Sequence, residues 1–121
     1  MNEKNHLNLQ ILYELNLQFD YSKKVYEKYL NSSRLFIYAK LLFEVNQRIY
    51  DLLIQSSSNF DQNIQKDIIE ILFHLDVWSS LWVEEFESQK PKLRDVFYFD
   101  NETHFPKESV KRLLSCIIKN I

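Results

Sequence analysis

The side chains with the most chemistry to offer stand together at a few places in the chain. Asp67, Glu70 and His74 fall at i, i+3 and i+7, a spacing that a helix sets along one side. Two carboxylates and an imidazole are ligand types for zinc or iron. Such a site needs further ligands from facing helices, and bundle di-iron centres draw a Glu-x-x-His pair from each of two helices. The chain offers no two such pairs, and Glu44 is the one partner available on a second helix. His74 also sits at the edge of an apolar row, between Ile71 and Trp78. The preferred reading is therefore a boundary histidine with a solvated acidic flank. Asp100, Asn101, Glu102 and His104 crowd four oxygen and nitrogen donors into five residues. A calcium loop places a glycine at its sharp turn and a bidentate glutamate further on. Neither is present, which leaves a polar loop. No metal or other cofactor is expected.

Cys116 is the single cysteine. It would act as a nucleophile only beside an activating histidine, and no local signature supplies one. A half-buried small apolar residue on a helix is the simpler account. A Ser-His-Asp triad is recognised by geometry and not by position, so none is assigned. No catalytic residue is predicted.

Two charged clusters suggest contact with other molecules. Lys90, Lys92 and Arg94 precede Phe97, Tyr98 and Phe99, with Lys107, Lys111, Arg112 and Lys119 further on. Cations beside aromatics can hold phosphates and stack bases. Against that, residues 1–88 carry 8 basic and 13 acidic side chains, and residues 89–121 carry 7 and 4. Most of the chain would repel nucleic acid. In the other cluster, Trp78, Trp82 and Phe86 accompany Glu84, Glu85 and Glu87. Aromatics with charge at the rim are common at protein interfaces, although both tryptophans also fall on a heptad seam. The acidic set Asp67, Glu70, Glu84, Glu85 and Glu87 is the predicted partner-binding surface. Lys90, Lys92 and Arg94 form the alternative nucleic-acid contact.

The elements that must carry these residues contain no glycine in 121 positions. Phosphate-cradling loops, dinucleotide fingerprints and nucleophile elbows all need glycine, so those chemistries are excluded. Tight hairpins lose their favoured residue too. Leu35, Tyr38, Leu42, Val45, Ile49 and Leu52 recur at 3-4 spacing over 33–55, and Ile64, Ile68, Ile71, Leu75, Trp78 and Trp82 do so over 61–88. Each row predicts a helix with one apolar stripe. Ser56-Ser57-Ser58-Asn59 separates them, and a short linker makes the pair antiparallel. Residues 7–19 alternate apolar and polar, as a strand would. Leu12, Leu15, Phe19, Tyr26 and Tyr29 also form a helical row, with Ser22 filling one place. Helix is preferred because Leu, Gln, Glu and Asn outnumber β-branched residues there. Pro91 ends the third helix, and 94–100 reads as a short extended segment. Pro106 and Glu108 suit the first turn of a last helix, with Val110, Leu113, Leu114, Ile117 and Ile121 as its apolar face.

The expected fold is all-α: an up-down four-helix bundle in one domain, with a short irregular or extended segment before the last helix. No secretory leader or membrane span is read from the sequence, and a cytoplasmic location is expected. The expected function is recognition of another protein, of the adaptor, chaperone, antitoxin or immunity type. Self-association is compatible with that expectation. The alternatives are a nucleic-acid-binding module using residues 90–119 and a metal-binding bundle.

Overall fold

The computed structural model describes residues 7–32, 36–88 and 107–121, with the backbone alone described at 36, 78 and 81–88. They form four α-helices, α1 (Leu9–Asn31), α2 (Phe36–Ser56), α3 (Gln62–Ser88) and α4 (Lys107–Asn120), and a short 3-10 turn, Ser57–Asn59. No strand occurs among the described residues.

Helix α1 begins where a side chain can replace a missing backbone acceptor. Asn8 is extended, and its Oδ1 accepts from the Gln10 and Ile11 amides at 2.9 and 3.4 Å. Leu12, Leu15, Phe19, Ser22, Val25 and Tyr29 are buried along one side. Ser22 sits in this apolar row without cost because its hydroxyl donates to the Phe19 carbonyl at 2.8 Å. The strand-like alternation over 7–19 has a different origin. Leu7 and Ile11 pack against the core with Leu15 and Phe19, while the members between them, Leu9, Tyr13 and Leu17, lie outside. A helix with a core row and a separate outer apolar row imitates a period of two.

Helix α2 buries Ala39, Leu42, Val45, Asn46, Ile49, Leu53 and Ser56. The innermost row is shifted by one residue from Tyr38 and Leu52, which are only partly buried. Asn46 and Ser56 occupy that inner row, so its polarity hides it in the sequence. Ser56 returns its hydroxyl proton to the Leu52 carbonyl at 2.8 Å. Asn46, at 1% exposure, has neither amide atom hydrogen-bonded among the described residues. Beside it in sequence, Gln47 donates to Ser79 of α3.

The serine linker winds into the 3-10 turn, and Phe60 seals the end of the core. Asp61 caps α3, its Oδ1 accepting from the Ile64 amide at 3.1 Å. The Gln65 side chain bonds back to the Phe60 carbonyl at 2.7 Å. Ile68, Ile71 and Leu75 then face the core.

Close approaches run α1–α2, α2–α3, α3–α4 and α4–α1, with none across either diagonal among the described residues. Four helices therefore stand at the corners of a square. The two short links make α1–α2 and α2–α3 antiparallel. Asp67 meets Arg112, while Asp61 acts on Cys116. Rising numbers on α3 thus meet falling numbers on α4, so that pair is antiparallel as well. The topology is up-down. Val110, Leu113 and Ile117 carry α4 into the core, and Ile121 stays exposed. The segment expected to be extended, 94–100, lies outside the described residues.

Candidate functional site: two outer ridges and a groove

The acidic residues singled out by spacing separate once placed. Asp67 is 6% exposed and faces α4. Arg112 grips it through Nε at 3.1 and 3.0 Å to the two carboxylate oxygens and through Nη2 at 2.8 Å. A fork on a carboxylate is the strong form of this pair. The Arg112 hydrogen bonds hold the Asp67 carboxyl below its ordinary range against the opposing effect of burial, and Ser109 adds a further hydrogen bond. Asp67 is thus a pin between α3 and α4, a correction to its expected place among surface acids. The sequence could not show this, because the partner lies 45 residues away.

Glu70 is exposed on the same helix, and His74 is partly buried with its ring edge-on to Phe73 at 5.7 Å. Glu44 is exposed on α2. Among the described residues no three His, Cys, Asp or Glu side chains converge as metal ligands. Cys116 is half-buried on α4. Burial raises its thiol pKa, and the negative Asp61 raises it further. The thiol form is favoured and nucleophilicity lowered. Glu84, Glu85 and Glu87 lie on the helical backbone of α3, with side chains beyond the description. Lys90, Lys92, Arg94 and the 100–104 cluster fall outside the described residues. No helix among the described residues is long and apolar enough to cross a membrane.

What the fold does bring together was not anticipated. Leu9, Tyr13, Leu17 and Tyr21 form an outer ridge on α1, 54%, 53%, 60% and 41% exposed. Ile69, Phe73 and Val77 form another on α3, at 65%, 62% and 47%. Spacing of four sets each row along its helix. The two helices are diagonal, so the ridges look out from opposite corners. Glu70 and Asp76 flank the α3 ridge, both exposed, with Lys66 at its start. The α1 ridge leads into a groove of about 290 Å³ between α1 and α2. Val25 and Leu41 provide its apolar lining, Tyr21 and Tyr38 its aromatic walls, and Lys24 and Lys28 its cationic rim. Glu27 and Asn31 complete it. Lys24 is held by Asp20 at 3.0 Å, whereas no ion pair among the described residues engages Lys28. The α1 ridge would have been visible in the sequence as the unused half of the 7–19 alternation. The groove has no local signal, since two helices build it.

These arrangements suit recognition by burial of apolar surface with charge at the rim. No protein-family profile, curated protein or solved structure matches the chain.

Proposed function

We propose that the protein works by surface recognition of another protein, through the outer face of α3. The observation that carries this reading is the Ile69-Phe73-Val77 ridge, left 65%, 62% and 47% exposed on a helix whose Ile68, Ile71 and Leu75 are buried. Contiguous exposed apolar side chains rimmed by polar groups mark interaction surfaces. Glu70 and Asp76 beside the ridge, with Glu84, Glu85 and Glu87 further along the same helix, favour a partner that is apolar at its centre and basic at its rim. A cytoplasmic setting belongs to the same proposal, since a lone half-buried thiol stays reduced there.

Affinity purification from the native source, run in parallel with wild type and Phe73→Ser, tests it. A protein that wild type retains and Phe73→Ser loses supports the reading. With that partner, Glu70→Lys should slow association and weaken its salt dependence, because rim charges act mainly on encounter. Recovery of nucleic acid, released by neutralising Lys90, Lys92 and Arg94, would overturn it. So would equal recovery of the same proteins by both variants.

A further inference from the structure

The α1 face carries both a protruding ring, Tyr13, and a groove for one. We infer that α1 is a self-association surface, on which a second copy of this chain packs antiparallel and inserts its Tyr13 into the groove between α1 and α2. This interface is separate from the α3 face on which the proposed function rests.

The register follows from chain arithmetic. The groove is centred near residue 26 of α1, between Tyr21 and Asn31. In an antiparallel pair of identical helices, the paired residue numbers sum to a constant. Seating Tyr13 at that level puts the twofold axis near residue 20. Leu17 of one copy then meets Tyr21 of the other beside the axis, where the two ridges overlap, and Leu9 comes level with the exposed Leu30. Glu14, exposed one residue beyond Tyr13, comes level with Lys24 and Lys28 at the groove rim of the second copy. Charge on the exposed side of α1 is arranged for such a meeting. Glu14 stands in the first half, and Lys23, Lys24 and Lys28, with Glu27 among them, leave the second half net positive. An antiparallel copy reverses this order, so opposite charges face each other at both ends. Asp20, close to the axis, is held by its own Lys24, which limits its repulsion from the second Asp20. Size agrees as well. A groove of about 290 Å³, at the lower end of the range of roughly 300–1,000 Å³ for ligand pockets, has room for one large side chain. Twofold symmetry fills both grooves at once, so no groove is left open and no edge remains for further growth.

Sedimentation of the full 121-residue chain from about 1 to about 300 µM, a span that brackets micromolar affinity, tests the inference. A concentration-dependent monomer–dimer equilibrium is expected, with no larger species. Tyr13→Ala should weaken it by about tenfold or more, as loss of a central aromatic anchor does. Glu14→Lys and Lys28→Glu should each weaken it, and the double variant should recover most of the loss. Tyr13, Glu14 and Lys28 are all exposed, and helical circular dichroism would verify that each variant folds. A chain monomeric throughout the range would overturn the inference and leave the groove to a different occupant. A dimer insensitive to Tyr13→Ala, or unrestored by the charge swap, would overturn it too. A dimer broken only by Phe73→Ser would transfer self-association to α3, and with it the reading of that face as a site for another protein. Loss of a captured partner with the dimer intact would break neither.

Discussion

Helices α1 and α3 stand at opposite corners of one bundle and solve the same problem differently. Each has an inner row that fills the core and an outer row of apolar residues at a spacing of four. Among the described residues each inner row also contains one polar residue. On α1 it is Ser22, satisfied within its own helix by the Phe19 carbonyl. On α3 it is Asp67, satisfied only by Arg112 of another helix. The outer rows diverge further. The α1 ridge leads into a groove and has opposite charges along its length, whereas the α3 ridge is bordered mainly by carboxylates. Apolar exposure alone therefore does not define a binding mode. The neighbouring relief and the order of charge decide what each face can accept.

The largest effects should separate inner row from outer row on α1. Leu15 is fully buried and Leu17 is 60% exposed. Leu15→Ala should cost about 2–5 kcal/mol in chemical denaturation, as for other buried leucines. Leu17→Ala, measured on the dilute monomer, should stay within about 0.5 kcal/mol, the usual range for surface changes. Similar losses at both positions would show that the ridge is covered within the chain and is not an outer face.

A smaller effect of opposite sign is expected on α2, which lies between the two. The Asn46 side chain is buried with both amide atoms unpaired among the described residues. Unsatisfied polar groups in the interior cost about 1–3 kcal/mol. Asn46→Leu should therefore raise the unfolding free energy by an amount of that order. Destabilisation would mean that the amide has a partner, or that the site is too tight for the added methyl groups.

The smallest effect sharpens the contrast between Ser22 and Asp67. Asp67 has a folded pKa held below its ordinary value, chiefly by Arg112. Its stabilising contribution is therefore complete above the unfolded value of about 4 and is lost as pH falls through the folded value. Asp67→Asn should lower Tm at pH 7, and the difference from wild type should shrink as the medium is acidified. Ser22→Ala should show no such pH dependence, because a hydroxyl bonded to a carbonyl does not titrate. A constant deficit for Asp67→Asn would mean that shape, and not charge, holds α4 in place.

Much of this architecture is local and could be read along the chain. The heptad rows place α2 and α3, and the core positions Leu42, Ile49, Ile71 and Leu75 are all buried. The serine linker gives the central turn, although Asp61, just past it, makes the cap. Pro106 and Glu108 mark the start of α4, which begins at Lys107. In 7–19 the residue types were a better guide than the alternation, because side-chain entropy acts at every position while the period was a sum of two helical rows.

Periodicity along a helix is a property of the backbone, so the sequence by itself determined which residues share a face. It also determined, through the complete lack of glycine, which phosphate and nucleotide chemistries are closed to the chain. Only the tertiary structure decided what stands opposite each face. Arg112 meets Asp67 because α4 runs antiparallel against α3, and the groove exists because Tyr38 and Leu41 of α2 come up beside Tyr21 and Val25 of α1. Neither fact is encoded within one helical turn. Both depend on contacts between residues far apart in the chain, where burial removes water and leaves each polar group only the partner that packing brings to it.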